Sequence, residues 1–250
     1  SRARGDRLPA SEADTAVKDD EPAEDAGDGD AAPPPSAAEV LVFKGIRGGI
    51  PLGNAVHRIL EVTDLTASDL PARLLAAAAQ EVRLGDLRDH RGQPADHGAL
   101  AADLEAVTAT PLFPGPGQPT LRHLAAAGWL PEMVFELPVA PHSDTPRRTV
   151  GMGDVAASLE SRLSPDDPLA AYAGRLRGMA PARFRGYLTG TLDVVARHPV
   201  TGAYWVIDYK TNSLLGRLGE PAGSAYDPGR LATAMVTHDY VLQALLYQVA

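Results

Sequence analysis

The sequence predicts an α/β domain that follows a disordered N-terminal tail. Three observations lead to this prediction. Apolar residues recur at helical spacing in several segments between residues 48 and 178. Two runs rich in β-branched and aromatic residues, within 187–210, flank the turn sequence HPVTGA. The first 40 residues contain few large apolar side chains, and a segment of that kind does not bury enough surface to fold.

Residues 1–40 are acidic, and the rest of the chain is close to neutral. The formal charge of the whole chain is −9, and residues 1–40, with eleven acids and four bases, account for −7 of it. From Ala10 to Ala38 the sequence consists mainly of Ala, Asp, Glu, Gly, Pro and Ser. We therefore interpret residues 1–40 as a disordered acidic linker to another domain, and residues 41–250 as the folded domain. A charge of −2 on the folded part neither requires nor excludes a DNA partner, because local basic patches govern such binding.

Several classes of protein are excluded by what the sequence lacks. It contains no cysteine, which excludes disulfides, thiolate zinc sites, iron–sulfur clusters and cysteine nucleophiles. It has neither a G-x-x-x-x-G-K-[ST] phosphate loop nor a G-x-S-x-G nucleophile elbow, so any ATP-driven motor lies outside it. No apolar run is long enough to cross a bilayer, and residues 1–10 lack the apolar core of a signal peptide. We therefore expect a cytoplasmic protein with no membrane partner.

The first folded element is a helix that the chain enters through a glycine-rich turn. In GGIPLGNAVHRILEV (48–62), Val56, Ile59 and Leu60 fall on one helix face, and His57 falls on a neighbouring face. The same periodicity and the β-branched composition of one further run predict the other elements. They are helices at 70–84, 95–108, 119–127, 152–163 and 167–178 and a strand at 133–139.

The strongest local signal is a β-hairpin whose second strand ends in ionisable residues. If the chain folds back between Val200 and Thr201, residue n pairs with residue 401 − n, and Asp193 lies opposite Asp208. Lys210, two residues further along, shares that face. A surface salt bridge would explain Asp208 and Lys210 alone, but two carboxylates directly across an antiparallel pair repel each other. A divalent cation between them turns this repulsion into binding, so the hairpin predicts a metal site.

Five motifs, in order along the chain, carry a resemblance to a nuclease family. They are GNAVHRILE (53–61), PEMVFELPV (131–139), GTLDVV (190–195), DYKTN (208–212) and YVLQALLYQ (240–248). Together they resemble the PD-(D/E)xK nucleases, and more specifically the C-terminal nuclease domain of RecB, the beta subunit of RecBCD-type helicase–nucleases (exodeoxyribonuclease V). The resemblance covers about residues 45–250.

The motifs depart from the wider superfamily at two positions. The first acid follows Leu192 and not proline, and the second acid is Asp where the superfamily often has Glu. Both departures suit the RecB branch. The chain ends inside the helix of the last motif, so we expect a nuclease domain that is truncated at its C-terminus.

The resemblance implies a fold and a set of site residues. The fold would be a restriction-endonuclease-like PD-(D/E)xK core, with a mixed central β-sheet, the hairpin at its middle and helices on both sides. The implied site consists of the catalytic residues Asp193, Asp208 and Lys210, the metal ligands His57, Asp193, Asp208 and the backbone carbonyl of Tyr209, and the supporting residues Glu132, Gln243 and Tyr247. A strand-edge charge would equally explain Glu132, and the packing of one helix face would explain Gln243 and Tyr247.

The resemblance also implies a function, cofactors and partners. The family hydrolyses phosphodiester bonds of DNA strands with Mg²⁺ during double-strand-break repair and recombination. Mn²⁺ is expected to substitute for Mg²⁺, and Ca²⁺ to bind without supporting catalysis. The expected partners are single strands of DNA from unwound duplex ends, an ATP-using helicase domain upstream in the parent chain, and RecC- and RecD-like subunits. A catalytically silent DNA-binding or subunit-docking module of the same fold is the alternative.

Arginines that precede the hairpin are candidates for binding DNA phosphates. They are Arg175, Arg177, Arg183 and Arg185. A solvated basic face explains this group equally well.

Overall fold

The computed structural model of this chain describes most of the region that follows the acidic tail. The described residues are 43–113, 115–138, 150–164, 167, 170–179, 183–184, 187–214 and 226–249. The predicted disordered linker, residues 1–40, lies outside them, as do Val139 and Arg185. In the described residues, helices and a small antiparallel sheet confirm the predicted α/β class. None of the helices in this part of the chain has the length and apolar character that crossing a bilayer requires.

The first four helices surround one apolar cluster. They are α1 (Ile50–Val62), α2 (Leu70–Leu84), α3 (His97–Ala109) and α4 (Leu121–Ala127). In α1 the predicted face is confirmed, because Val56, Ile59 and Leu60 are buried and pack in this cluster with Leu74 of α2. Burial of each large aliphatic side chain contributes about 1.5–3 kcal/mol, so the cluster fixes α1 and, with it, the position of His57.

Side-chain caps determine where α3 and α4 begin. The carboxylate of Asp96 accepts hydrogen bonds from two backbone N–H groups in the first turn of α3. Thr120 and His123 each accept a hydrogen bond from the other's backbone N–H in a capping box. The helices therefore begin at His97 and Leu121, each two residues later than predicted, because the capping residue itself stays extended.

The described strands pair in an antiparallel arrangement. They are β1 (Trp129–Pro138), β2 (Val150–Gly151), β3 (Arg183–Phe184), β4 (Tyr187–Arg197) and β5 (Tyr204–Ile207). β1, β4 and β5 form one sheet with β4 in the centre, and β2 and β3 form a separate pair. The mixed sheet that the resemblance implied is therefore not found in the described part of the chain. A parallel pair needs a crossover connection between strands that run in the same direction, and each pair described here joins strands of opposite direction.

The register of the β4–β5 hairpin confirms the predicted pairing. Val194 pairs with Ile207, and the two residue numbers of every other pair in this ladder also add up to 401. Gly202 lies in the turn with a φ of 71°, a left-handed conformation that favours glycine. β5 ends at Ile207, so Asp208 and the residues up to Leu214 belong to a segment without regular secondary structure that leaves the sheet.

Four further helices follow in the described second half of the chain. They are α5 (Met152–Arg162), α6 (Ala170–Gly178), α7 (Pro228–Thr237) and α8 (Tyr240–Val249). α5 and α6 confirm two of the predicted helices, and they form a second apolar cluster with α8 through residues such as Ala156, Tyr172 and Val241. The prediction missed α7, although Asp227 caps it and Pro228 begins it, which is a common helix start.

Gly190 in β4 lies against the ring of Phe135 in β1, and this contact generates a test of the sheet. A β-carbon at position 190 would lie 2.6 Å from Cζ and 2.8 Å from Cε1 of Phe135. The ring also has an edge-on contact with Tyr247. We expect Gly190→Ala to lower the free energy of unfolding in urea by about 1–3 kcal/mol, because the ring has to move.

Gly174→Ala is the matched control for this substitution. Gly174 is exposed on α6, and a β-carbon there would meet nothing within 4 Å. Alanine should raise the free energy of unfolding by about 0.5–1 kcal/mol, because it restricts the unfolded chain and suits a helix. Equal effects of the two substitutions would contradict the packing of Phe135 on Gly190.

Candidate metal centre and active site

His57 connects α1 to the end of the hairpin. Its Nε2 lies 3.1 Å from the carbonyl oxygen of Tyr209, and since that oxygen only accepts, Nε2 donates. Its Nδ1 lies 3.5 Å from Oδ2 of Asp193. In a neutral imidazole that donates through Nε2, Nδ1 is an acceptor. Two acceptors therefore face each other, and this arrangement requires a proton or a cation between them.

Glu132 completes a cluster of three side chains that can bind a metal ion. One ligand atom each from His57, Glu132 and Asp193 lies within 4.8 Å of the other two. The residue pairs on either side of Glu132 in the β1–β4 ladder place it opposite Asp193. Its φ of 49° is left-handed, a conformation that a non-glycine residue in a strand adopts at a cost of about 1–3 kcal/mol. A strained backbone at this position accompanies the convergence of the three side chains.

The acids of the cluster are partly removed from water and lie near other acids. Burial and the negative charge of Glu61 raise the pKa of Glu132. Burial, followed by the charge of Asp208, raises the pKa of Asp193 to about 6. The backbone N–H of Tyr209 donates to Oδ2 of Asp193 at 2.7 Å and opposes this rise. Both shifts are in the direction that excess negative charge produces, and a nearby cation would reverse them.

Asp208 lies at the margin of this cluster, where it is paired with Lys210. Its Oδ2 is 2.8 Å from Nζ of Lys210, and the two side chains are 20% and 25% exposed. The group of His, Asp and Glu ligands found among the described residues does not include Asp208. The structure thus brings Asp208 within electrostatic reach of Asp193, as the raised pKa shows, and gives its carboxylate an ammonium partner.

Gln243 and Tyr247 lie one helical turn apart on α8 and contact each other. Nε2 of Gln243 donates to Oη of Tyr247 at 2.9 Å. The ring of Tyr247 packs edge-on against Phe135, with ring centroids 6.3 Å apart. Burial raises the pKa of Tyr247, and the charges of Asp208 and Asp193 raise it further. The two residues therefore lie on the side of α8 that approaches the acids.

Sequence reasoning missed the part that Tyr240 plays at this site. The ring centroid of Tyr240 is 4.5 Å from Nζ of Lys210, and its hydroxyl is 3.0 Å from Oδ1 of Asn212. The sequence contains a sign of this role, because Tyr240 precedes Gln243 by three residues and so lies on the same side of the helix. Helical spacing alone does not predict which residue on that side of the helix contacts the segment that follows the hairpin.

The predicted DNA-binding arginines have partners within the chain where the structure describes them. Arg175 forms a bidentate pair with Asp239, with Nε–Oδ1 and Nη2–Oδ2 distances of 2.6 Å and 2.9 Å. Arg177 pairs with Glu160 in the same manner. The side chain of Arg183 and the whole of Arg185 lie outside the described residues. DNA binding by these arginines stays a prediction.

Comparison with curated proteins finds RecB subunits. The RecBCD enzyme subunit RecB of Mycobacterium tuberculosis is 38% identical over 226 residues, which are 88% of this chain and 20% of that protein. The same subunit of Mycolicibacterium smegmatis is 37% identical over 206 residues, which are 80% of this chain and 18% of that protein. The Escherichia coli subunit is 35% identical over 131 residues, which are 52% of this chain and 9% of that protein.

These similarities confirm the predicted resemblance to RecB. The chain spans about a fifth of the length of the mycobacterial subunits, and the match falls in their C-terminal region. No protein-family model matches the chain.

Asp193 should make the stability of the protein depend on pH. Its pKa is raised in the folded state from 3.8 to about 6, so the folded state binds the proton more tightly than the unfolded chain. The contribution of this group to stability is therefore complete below about pH 4 and is lost as the pH rises through about 6. In urea denaturation with EDTA present, we expect the free energy of unfolding of the wild type to fall between about pH 4 and pH 6 relative to that of the Asp193→Asn variant, which has no carboxyl group at this position. Parallel pH profiles for the two proteins would contradict the burial of this carboxyl group.

The hydroxyl group of Tyr209 is buried and has no hydrogen-bond partner among the described residues. We expect Tyr209→Phe to leave the free energy of unfolding unchanged, or to raise it by up to about 1 kcal/mol, because the desolvated hydroxyl is removed. Tyr172→Phe is the comparison, since that hydroxyl donates to Asp239 at 3.1 Å, and it should cost about 0.5–1.5 kcal/mol. Equal decreases in the free energy of unfolding for Tyr209→Phe and Tyr172→Phe, measured by chemical denaturation, would contradict a Tyr209 hydroxyl without a hydrogen bond.

Proposed function

Because this chain is homologous to the C-terminal region of RecB, we propose that it is the metal-dependent DNA nuclease module of a RecBCD-type helicase–nuclease. It hydrolyses phosphodiester bonds of DNA strands during double-strand-break repair and recombination. The observation that carries the proposal is the convergence of His57, Glu132 and Asp193 within 4.8 Å, next to the Asp208–Lys210 pair. Carboxylates, an imidazole and an amine at one end of a sheet are a donor set suited to phosphoryl chemistry.

The chemistry of the donors fits a divalent cation. Two carboxylates and one imidazole favour a hard or borderline ion, so Mg²⁺ is the proposed cofactor, Mn²⁺ substitutes, and Ca²⁺ binds without supporting catalysis. When His57 is neutral and donates through Nε2, its Nδ1 faces Oδ2 of Asp193 as an acceptor at 3.5 Å, and an ion held by His57, Glu132 and Asp193 would remove that conflict. When bound, the cation supplies Lewis-acid stabilisation of the charge that develops on the phosphate.

The residues around the cluster hold its groups in place. The Tyr209 N–H donates to Asp193 at 2.7 Å and fixes the orientation of that carboxylate. His57 donates to the Tyr209 carbonyl at 3.1 Å, which links α1 to the same backbone segment. Tyr209 would offer its carbonyl oxygen as a further ligand to the ion.

Lys210 and Asp208 form the second half of the proposed site. Nζ of Lys210 donates to Asp208, and in the proposed mechanism the ammonium group donates to a phosphate oxygen or to the attacking water when the substrate is bound. The ammonium group offsets negative charge as the phosphate is attacked, and it orients the water against the phosphorus. Asp208 keeps the amine at this position, and its carboxylate is also a proposed ligand of the ion.

The proposed partners follow from the printed names of the relatives. These are subunits of the RecBCD enzyme, which supports a role for this chain in a larger assembly with RecC- and RecD-like subunits. An ATP-using helicase domain upstream in the parent chain would deliver single strands of DNA to the site. The alternative is a catalytically silent docking or DNA-binding module of the same fold, in which the Asp208–Lys210 pair would serve only as an ion pair.

Cleavage of linear single-stranded DNA by the natural full-length protein tests this function. With Mg²⁺ or Mn²⁺, we expect Asp193→Asn and Asp208→Ala to lower the cleavage rate by at least about 100-fold, because groups that stabilise the transition state are lost. DNA affinity measured in Ca²⁺ should stay unchanged. Mn²⁺ affinity from calorimetry should fall in Asp193→Asn.

Asp69→Asn is the control for these substitutions. Asp69 is an exposed carboxylate just before α2 that pairs with Arg73 at 2.7 Å and takes no part in the proposed site, so its loss should leave cleavage at the wild-type rate. Cleavage by Asp208→Ala and Asp193→Asn at the wild-type rate would exclude the proposed site. A wild-type protein that binds DNA without cleaving it would support the silent module.

A further inference from the structure

Tyr240 lies between α8 and the segment that carries Lys210. The side chain is 8% exposed, and its ring centroid is 4.5 Å from Nζ of Lys210. Its hydroxyl is 3.0 Å from Oδ1 of Asn212. One aromatic side chain thus contacts two residues of a segment that follows β5 and lies outside the strands. A cation over the face of a tyrosine ring is attracted by the ring quadrupole, so this contact favours one position of the amine.

The backbone just before Tyr240 is held by a three-residue cluster. The carboxylate of Asp239 accepts hydrogen bonds from Nε and Nη2 of Arg175 at 2.6 Å and 2.9 Å, and from the hydroxyl of Tyr172 at 3.1 Å. Nη2 of Arg175 also donates to the carbonyl oxygen of Thr237 at 2.9 Å. We call Tyr172, Arg175 and Asp239 the α6 brace. It attaches the turn between α7 and α8 to α6.

The brace fixes a backbone conformation that would otherwise be costly. Asp239 has a φ of 58°, which a non-glycine residue adopts only when its surroundings compensate. The hydrogen bond from Arg175 is the largest cause that lowers the pKa of Asp239, so the carboxylate is ionised when it holds the turn. Because this residue sets the direction in which α8 leaves the turn, the brace determines where the ring of Tyr240 lies.

Resting on the nuclease function proposed above, we propose that Tyr240 is a positioning residue for Lys210 and that the α6 brace holds Tyr240 in place. The ring restrains the amine from one side while Asp208 restrains it from another. The hydroxyl of Tyr240 ties Asn212, and thus the segment after Lys210, to α8. Arg175 acts within the protein, through Asp239, and not as a contact to DNA.

Two substitutions of Tyr240 separate the ring from the hydroxyl. Tyr240→Leu removes the aromatic face, and we expect kcat for DNA cleavage to fall about 10-fold to 100-fold with KM unchanged, because a displaced catalytic group costs rate and not binding. Tyr240→Phe keeps the ring and should retain at least about a third of the wild-type kcat. Equal kcat values for Tyr240→Leu and the wild type would overturn the proposal.

Substitutions on α6 distinguish a brace from a DNA contact. Arg175→Gln breaks the brace and should lower kcat about 3-fold to 30-fold without a change in DNA affinity or in its dependence on salt. Arg73→Gln removes an exposed pair of the same type from α2 and should match the wild type. If Arg175→Gln and Arg177→Gln weaken DNA binding equally and flatten the salt dependence, both arginines contact DNA and the brace is wrong.

A readout that does not require cleavage separates this proposal from the nuclease function. Amide hydrogen exchange of residues 208–213 should be faster in Tyr240→Leu and Arg175→Gln than in the wild type, and unchanged in Arg73→Gln. An inactive wild type with this exchange pattern would overturn the nuclease function and keep the positioning of Lys210. An active wild type with unchanged exchange in both variants would overturn the positioning alone.

Discussion

The pairing of β4 with β5 is the constraint on which the site depends. The register sets Asp193 opposite the residue that follows Ile207, so the segment that follows β5 leaves the sheet beside a buried carboxylate. That carboxylate accepts a hydrogen bond from the backbone N–H of Tyr209 at 2.7 Å. This bond fixes the direction of the chain after Tyr209. Lys210 receives its position from this sequence of contacts, because the ladder fixes Asp193 and Asp193 in turn holds the backbone next to Lys210.

The cluster gathers residues that are far apart in the sequence, and it does so against electrostatic and conformational cost. His57 comes from a helix buried in the first apolar cluster, Glu132 from β1 and Asp193 from β4. Glu132 has a left-handed backbone, and the pKa values of both acids are raised. Strain and unfavourable charge in one place are more typical of a site kept for chemistry than of a group kept for stability. The helices and the sheet supply the burial that offsets these costs.

Sequence patterns predicted the features that depend on neighbouring residues, which are the hairpin register and the buried face of α1. Period-two alternation and a turn marked by glycine were enough to obtain the hairpin register, and helical spacing was enough to place the buried face of α1. The partnership of Glu132 with Asp193 needed the β1–β4 ladder, which joins strands about 60 residues apart and leaves no local pattern. The same is true of Arg175, since its partner Asp239 lies 64 residues away. The resemblance named Glu132 as a site residue, but the antiparallel order of the described sheet was not contained in it.

The loop that joins β4 to β5 is exposed, but it affects the position of the site residues. Val200 at its tip is 84% exposed, and surface loops of this kind usually accept insertions and deletions. Here the turn also sets the register in which the two strands pair. A shift of that register by one residue would turn Asp208 away from Asp193, whereas a shift by two would keep them on one side of the sheet. The geometry of a solvent-facing turn is therefore part of the specification of a site at the opposite end of the hairpin.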